Sequence, residues 1–328
     1  MRDNNTRRAT TPRIAEDVVI RDPHVFVDPD FTNGEPTLSK AEVAFFKDYG
    51  FIVKRGFLDE NRTFERIVDY VWENVPREIL KRDDSRTWLD APHGQWTEED
   101  AEKAGLFAGG SWKMRSRGGI GTEPFLIDKI AHHPSMQKMV SLFIGEPIKR
   151  TQRVRGVYGV FPKPSGSEGR LSPHADQTAA QLSAMVLVDE VPPHCGGFTI
   201  WPGSHHIVHP HCDTVQGPVG PDRAEAYSRA RDGALRDITP VEFPGNAGDV
   251  IFWHPRLLHS GGINHSADHE RPVLRLIVPC DYQREDLTFF DDLVNGPGPN
   301  HQWWVDTRNF HEDILPTPDN IWDGWVFG

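Results

Sequence analysis

Apolar residues recur at helical spacing in the first part of the chain. Ser39 and Glu42 have the spacing of a helix capping box, and Gly50 follows the apolar run that they introduce. A helix is therefore predicted between Ser39 and Gly50, with a short strand, FIV, directly after it. The same spacing predicts further helices at about 60–74 and 134–143.

From about residue 148 the pattern changes to short apolar runs separated by Gly and Pro. Helices do not alternate with these runs, so an antiparallel barrel or sandwich is predicted. Residues 205–240 interrupt the series and are interpreted as an insertion whose second half, 222–235, is helical. The predicted strands are 148–161, 183–188, 198–201, 241–243, 249–253 and 273–279.

Composition divides the chain into three parts. Residues 1–36 are rich in Pro and Asp and are predicted to form an extended arm. Residues 37–283, including the insertion, are predicted to form one domain, whose 81–122 segment is either a pocket cover or an ordinary loop. Residues 284–328 combine Trp with Pro and are predicted to wrap around that domain.

Charge and cysteine content exclude several functions. The net charge of −12 and the pI near 5.7 argue against a nucleic-acid or anionic-membrane surface. No apolar run is long enough to span a membrane, and none follows the polar, Arg-rich start to make a signal peptide. The three scattered cysteines suit a reducing compartment, so a cytoplasmic protein is expected, with its oligomeric state open.

Histidine and aspartate stand two residues apart at three places in the chain. On a strand, such a pair leaves the same face and can bind one metal ion, with a third ligand supplied from further along the chain. His259, in the segment HPRLLHSGGINHS, is the candidate for that third ligand. The pairs are His174/Asp176, His211/Asp213 and His311/Asp313.

The strand pattern selects the first pair. No histidine follows His311, and His211 lies in a Pro-rich stretch with only two predicted strands between it and His259. Four predicted strands follow His174 up to His259, enough to return the chain across a barrel. We therefore predict a site formed by His174, Asp176 and His259, and we expect His254 to have a structural or pocket-rim role.

Two imidazoles and one carboxylate on one face of Fe(II) leave three positions open for a 2-oxo acid and O2. Zinc accepts the same ligands and is the competing metal. Two arginines follow the distal histidine, and a guanidinium can hold the far carboxylate of 2-oxoglutarate through paired hydrogen bonds. A zinc hydrolase has no such need. Arg271, just before an apolar strand, is the first choice, and Arg275, inside that strand, is the reserve.

The motifs HAD, GGFTIWPGSHH, AGDVIFWHPRLLHSGGINHS and ERPVLRLIV occur in this order. Together they resemble the phytanoyl-CoA dioxygenase family of Fe(II)/2-oxoglutarate oxygenases, and LSKAEVAFFKDYGFIVKRGFL is similar to that family's typical start. The resemblance covers about 37–283. It implies a mainly β fold with helices, in which a double-stranded β-helix (jelly-roll, cupin-like) core carries N-terminal helices on one sheet.

The resemblance assigns roles residue by residue. The three predicted ligands match the family's iron ligands, and Arg271 matches its co-substrate arginine. Gln152 and Tyr158 fall where the family commonly contacts 2-oxoglutarate. Gly261 departs from the pattern, because a small hydroxyl residue often stands there, and Ser260 is adjacent. The pocket border is expected to include Gln177, Thr178, Gln181, Trp201 and Asn264, the last of these mainly ordering its turn.

The expected function is an Fe(II)- and 2-oxoglutarate-dependent dioxygenase that hydroxylates an unactivated C–H bond of a small molecule and releases succinate and CO2. Asp176 argues against halogenation, because halogenating relatives replace this carboxylate with Ala or Gly. Two alternatives remain: a cupin-like metal-dependent isomerase or hydrolase that does not use 2-oxoglutarate, and a non-catalytic binding relative. The histidines between Ser204 and Cys212 are expected to be structural, and the substrate is undetermined.

Overall fold

Two β-sheets face each other across an apolar interior. The computed structural model describes residues 14–75, 80–89, 111–114, 121–151, 154–163, 173–176, 181–212, 221–286 and 316–328. The strands are β1 (His24–Val25), β2 (Phe51–Lys54), β3 (Ser111–Met114), β4 (Val157–Val160), β5 (Leu182–Leu187), β6 (Phe198–Ile200), β7 (Val241–Phe243), β8 (Val250–Trp253), β9 (His259–Gly261) and β10 (Arg275–Tyr282).

Several helices pack on the outer face of one of the two sheets. The helices are α1 (Lys40–Tyr49), α2 (Asn61–Asn74), α3 (Arg86–Leu89), α4 (Pro124–Leu126), α5 (Pro134–Ile144), α6 (Ser204–Val208) and α7 (Pro221–Asp237). A π-helical turn, Ile127–Ala131, continues α4. Among the described residues, no helix is both long enough and apolar enough to cross a bilayer.

The small sheet has the order β1-β7-β6-β9 and the large sheet the order β2-β8-β5-β10-β4-β3. All pairings are antiparallel except that of β1 with β7. This arrangement confirms the predicted jelly-roll class with helices on one sheet.

Alternation along β8 explains the two layers of the core. Ile251 and Trp253 point between the sheets, into a cluster that includes Phe198 and Phe243 of the small sheet. Val250 and Phe252 point the other way, into the cluster formed with the helices. Because successive side chains on a strand leave opposite faces, one apolar strand supports both layers.

The first helix has the predicted ends. The Ser39 hydroxyl accepts a hydrogen bond from the Glu42 amide at 3.2 Å, and the Glu42 carboxylate accepts from the Ser39 amide at 2.7 Å. Gly50 ends the helix with φ 83°, a left-handed conformation that favours glycine. Glu42 also pairs with Lys54 of β2 at 2.6 Å, and both side chains are fully buried. The helix and the strand after it are thereby joined.

Two strand predictions were wrong in their extent. Among the described residues, the expected 148–161 strand is regular only as β4. Gly156, just before it, has a φ of 108°, and Ile148 forms an isolated bridge with Arg284. β10 continues past the expected end at residue 279, since it pairs with β5 as far as Tyr282. β3 occurs in a segment for which no regular element was predicted, and it pairs with β4.

Both ends of the described chain pack on the domain. Phe26, beside β1, stacks on Phe243 at a ring-centroid distance of 4.5 Å. At the other end, the amide of Val326 donates to the carbonyl of Phe143 at 2.9 Å, and Trp325 lies 5.4 Å from the ring of Phe46. The amino end therefore packs on the small sheet, and the carboxyl end packs over α1 and α5.

Candidate metal centre and co-substrate site

An isolated antiparallel bridge brings the two predicted histidine ligands together. The amide of His174 donates to the carbonyl of His259 at 3.0 Å, and the amide of His259 donates back at 2.9 Å. His259 is the first residue of β9, while His174 lies outside the regular strands. The structure therefore brings the two histidines together, although His174 lies on a bridge and not within a longer strand.

Asp176 completes a cluster of three possible ligands. Its Oδ1 lies 3.8 Å from Nε2 of His174, and its Oδ2 lies 3.5 Å from Nε2 of His259. All three ligand atoms lie within 4.8 Å of one another, so one ion could contact them all. Across the described residues, no other group of three or more His, Cys, Asp or Glu side chains has such geometry.

His259 is prepared for metal binding through Nε2. Its Nδ1 lies 2.8 Å from the carbonyl of Leu257, and a carbonyl can only accept, so Nδ1 carries the hydrogen. The lone pair of Nε2 is then left toward Asp176. Burial lowers the pKa of His259 to about 4, against the opposing charge of Asp176, so the ring is neutral at pH 7. A neutral imidazole is the form that binds a metal.

Asp176 is held as a carboxylate by a buried arginine. Burial alone would raise the pKa of Asp176. The charge and hydrogen bond of Arg155, together with the two nearby histidines, outweigh burial and lower the pKa below its usual range. Nη2 of Arg155 donates to Oδ2 of Asp176 at 2.9 Å, and both side chains are buried. The negative charge that a metal needs is therefore present before any metal binds.

Every backbone amide of the ligand segment is hydrogen-bonded. Between the two ligands, the amide of Ala175 donates to the hydroxyl of Tyr227 at 3.2 Å. The amide of Asp176 donates to the carbonyl of Pro255 at 2.8 Å, and its own carbonyl accepts from Arg256 at 3.1 Å. Tyr227 belongs to α7, so the insertion between strands supports the metal site. Sequence reasoning did not identify this role, because a single tyrosine in an insertion carries no pattern.

The two candidate arginines lie in different surroundings. Arg271 is exposed on the loop before β10, whereas Arg275 is the first residue of β10 and only 3% exposed. Within the described part of the chain, Nε and Nη1 of Arg275 have no hydrogen-bond partner. Burial lowers the pKa of Arg275 to about 9, and Glu242 offsets part of that shift. The guanidinium is still charged at pH 7, so the interior holds a cation with two unoccupied donors.

Gly261 gives this guanidinium its space. A Cβ atom at Gly261 would lie 3.2 Å from Nη2 of Arg275. Gly261 stands two residues after His259 on β9, so both positions face the same side of the strand, about 7 Å apart. The nearby carboxylate of Glu242 accepts from the backbone amides of Gly197 and His194, at 2.7 and 3.0 Å.

Some of the remaining predicted pocket residues lie outside the described part of the chain, and the others lie within it. Gln152, Gln177 and Thr178 lie outside the described residues. Tyr158 on β4 is half-buried and packs against the cluster between the sheets, directly opposite Ile277 of β10.

Three further residues predicted at the pocket border have structural contacts. Gln181 donates to the carbonyl of Gly324 at 2.6 Å. Trp201 is fully buried in a cluster that includes Ala175 and Tyr227. Asn264 is fully buried; its side-chain nitrogen donates to Val160 and Val273, and its oxygen accepts from Ser266. Asn264 therefore orders its loop, as its turn position suggested.

Histidines outside the metal cluster join the domain to its carboxyl end. The ring of His254 stacks on Trp325 at 5.4 Å. Nε2 of His209 lies 3.0 Å from Oδ1 of Asn320. These contacts support the structural role predicted for both residues. Of the competing His-x-Asp pairs, His211 lies in a short 3-10 turn, while Asp213, His311 and Asp313 lie outside the described residues.

The buried His205 predicts a stability change in acid. Burial lowers the pKa of His205 to about 3 from the ordinary 6.5, so the unfolded chain binds this proton more readily. The contribution of this pKa shift to the free energy of unfolding is fully present above about pH 6.5. It is lost as the pH falls toward 3, at about 1.4 kcal/mol per pH unit. Urea unfolding at several pH values should show this slope, and His205→Gln should reduce it.

The control for this measurement is His206→Gln. His206 is exposed, and its Nε2 lies 2.7 Å from the carbonyl of Lys47, which also lies 3.0 Å from Nε2 of His205. Its replacement should change the slope less than His205→Gln does, because the charge of His206 lowers the pKa of His205 less than burial does. If His205→Gln and His206→Gln alter the slope equally, burial of His205 is not the cause.

The donor set fits Fe(II) better than a structural zinc ion. Two imidazoles and one carboxylate form the three-ligand set of non-haem iron oxygenases. Structural zinc sites are closed by four protein ligands, whereas only three are gathered among the described residues. Catalytic zinc accepts such a three-ligand set, but it gives no reason for the buried, unpaired guanidinium of Arg275.

The comparison with protein families agrees with this chemistry. The model of the phytanoyl-CoA dioxygenase (PhyH) family matches residues 46–273, more than half of the chain. A search of curated protein sequences finds no significant match.

Similar solved structures include the non-heme alpha ketoglutarate dependent carbocyclase SnoK from nogalamycin biosynthesis, with 20% identity and a TM-score of 0.44 over 76% of this chain and 85% of that one. EctD from S. alaskensis, with 2-oxoglutarate and 5-hydroxyectoine, has 19% identity and a TM-score of 0.43 over 84% of each chain. HygX from Streptomyces hygroscopicus, with nickel and 2-oxoglutarate bound, has 16% identity and a TM-score of 0.44 over 77% of this chain and 89% of that one.

The family match begins in the last turn of α1 and spans the ligand segment, β9 and most of the loop before β10, and the metal cluster lies within it. The chain therefore belongs to the phytanoyl-CoA dioxygenase family and is a non-haem iron, 2-oxoglutarate-dependent oxygenase.

Proposed function

We propose that this oxygenase hydroxylates an unactivated C–H bond of a small molecule and converts 2-oxoglutarate to succinate and CO2. The observation that carries the proposal is the combination of a carboxylate ligand, Asp176, with the buried, unpaired guanidinium of Arg275. His174, Asp176 and His259 would hold the iron, which when bound supplies the activation of O2 for C–H oxidation.

Arg275, and not Arg271, would anchor the distal carboxylate of 2-oxoglutarate. The buried guanidinium has donors free for a carboxylate, because its Nε and Nη1 have no partner among the described residues. Its neighbour Gly261 lies one strand repeat from His259, about 7 Å along β9. A five-carbon diacid can bridge such a distance, with its 2-oxo acid end toward the metal ligands. Arg271 is exposed, where water would compete for the same carboxylate.

The substrate would approach on the side of His174. Its side chain is 40% exposed, whereas those of Asp176 and His259 are each 6% exposed. The burial of these two ligands keeps water from one side of the site, which protects a reactive oxidant from side reactions. We retain Gln177 and Thr178, which follow Asp176 in the sequence, as proposed border residues of the substrate pocket.

Anaerobic titration tests the use of 2-oxoglutarate. Fe(II) and 2-oxoglutarate together should give a weak visible charge-transfer absorption that neither gives alone. A metal-dependent isomerase or hydrolase on the same fold would bind the metal without this absorption. A non-catalytic relative could bind both but would release no succinate when candidate substrates are supplied.

A separate measurement shows whether the substrate is hydroxylated or desaturated. Candidate small molecules are screened by substrate-dependent succinate release, and the product is then analysed by mass spectrometry with labelled O2. Hydroxylation adds one oxygen atom from O2 to the product, whereas desaturation removes two hydrogen atoms and adds none. A product without the label and lacking two hydrogens would contradict the proposed hydroxylation.

A further inference from the structure

A second buried carboxylate shares the arginine that contacts Asp176. Nη2 of Arg155 donates to Oδ1 of Asp281 at 2.7 Å, and its Nε donates to the other oxygen of the same carboxylate. The contact of Nη2 with Asp176 measures 2.9 Å. Arg155 therefore bridges two carboxylates, of which one is an iron ligand.

Asp281 is itself fixed by the large sheet. It lies on β10 opposite Ser183 of β5, and the Ser183 hydroxyl donates to its Oδ1 at 2.7 Å. Its backbone carbonyl accepts from the hydroxyl of Thr151 at 3.2 Å. The side chain of Asp281 is fully buried. A guanidinium attached to such a rigid group is held at one position, and so is the Asp176 oxygen that it contacts.

The charges of this trio favour a divalent cation. One guanidinium and two carboxylates have a net charge of −1. They lie next to the imidazoles of His174 and His259. Arg155 with Asp176 alone would be a neutral pair and would attract a metal ion less strongly. Asp281 thus allows an arginine to orient the ligand without cancelling the negative charge that the metal requires.

We propose that the Arg155–Asp281 pair holds the Asp176 carboxylate in the orientation that a metal ion would need. Nη2 of Arg155 donates to Oδ2, which lies 3.5 Å from Nε2 of His259, while Oδ1 lies 3.8 Å from Nε2 of His174. Each oxygen of Asp176 is thereby kept beside one of the two histidines. Partners of metal ligands control orientation in this way. The inference rests on the proposed metal site but not on the identity of the substrate.

Variants of Arg155 and Asp281 can distinguish the positioning of Asp176 from a contribution to the stability of the fold. Arg155→Met alone would leave two buried carboxylates unpaired and could unfold the chain. The double variant Arg155→Met/Asp281→Asn removes both charges of the pair together and keeps a hydrogen-bond acceptor for Ser183. Arg155→Lys keeps the charge but lacks the planar fork that contacts two carboxylates at once.

The matched control is the buried pair of Glu42 and Lys54, which lies on the helix-covered side of the large sheet. Glu42→Gln/Lys54→Met removes a buried ion pair of the same kind without touching the metal cluster. Its thermal stability shows what such a removal costs the fold. The affinity of both double variants for Co(II) is measured by competition with a chelator, and the Co(II) absorption spectrum is recorded with and without 2-oxoglutarate.

The double variant at Arg155 and Asp281 should bind Co(II) about 10- to 100-fold more weakly, the range typical for partners of metal ligands. Its Co(II) spectrum should change, because the Asp176 carboxylate would then be free to turn. The lysine variant should fall between it and the wild type, and the control should match the wild type. A folded double variant with wild-type affinity and spectrum overturns the inference. Absence of Co(II) binding in the wild type would contradict the metal site itself.

Discussion

Replacing His174 with alanine should remove iron binding and substrate-dependent succinate release. A direct ligand is lost, so the effect should exceed the roughly 10- to 100-fold loss typical of residues that only support a ligand. The two remaining ligands, Asp176 and His259, are held by backbone hydrogen bonds that do not involve the His174 side chain. The fold should therefore survive, and thermal unfolding should confirm that it does.

His211→Ala is the matched control for this experiment. His211 also precedes an aspartate by two residues, but it lies in a short turn beyond α6 and belongs to no metal cluster among the described residues. Its replacement should leave iron binding and succinate release unchanged. Loss of both activities in His211→Ala, with wild-type values in His174→Ala, would mean that the wrong pair was chosen.

The clustering of His174, Asp176 and His259 could be predicted because their spacing and the strand pattern agree. A pair two residues apart fits one face of an extended segment, and the number of apolar runs before His259 returns the chain to that pair. The ends of α1 could be predicted for a similar reason. Ser39, Glu42 and Gly50 each act on their own local backbone, so their effect depends on near neighbours in the sequence.

Contacts between distant polar residues could not be predicted in this way. Arg155 and Asp281 are 126 residues apart, and Ala175 and Tyr227 are 52 apart. No periodicity links such positions, and only the folded sheets bring them together. The short edge strand β3 is a similar case, since its four residues, SWKM, are defined by pairing with β4 and not by their own pattern.

The alternation along β10 gives a second criterion for choosing between the two arginines. Ile277 of β10 faces between the two sheets, and so do the residues of β10 that are an even number of positions away from it. Arg275 is two residues before Ile277 and shares its face, whereas Arg271 precedes the strand. An arginine at an inward position of an apolar strand must be buried, and a buried guanidinium needs an anion. The alternation of the strand therefore favoured Arg275, while position relative to the distal histidine favoured Arg271.

Arg275→Met should weaken 2-oxoglutarate binding far more than Arg271→Met. Removing one partner of a buried, hydrogen-bonded charge pair costs about 2–5 kcal/mol, which corresponds to roughly 30- to 4,000-fold in affinity. Isothermal titration with metal-loaded protein measures the dissociation constant for 2-oxoglutarate. Arg271 is exposed, so its replacement should change this constant little.

Stability without the co-substrate separates this role from a structural one. In the free protein Arg275 is a buried cation with two donors lacking partners among the described residues, so methionine should maintain or raise the melting temperature. Saturating 2-oxoglutarate should then stabilise the wild type and Arg271→Met but not Arg275→Met, because a ligand stabilises only the form that binds it. If Arg275→Met lowers the melting temperature and keeps 2-oxoglutarate affinity, its guanidinium supports the fold. If Arg271→Met loses that affinity instead, the anchor is the exposed arginine, and the loop before β10 must close over the co-substrate to bury it.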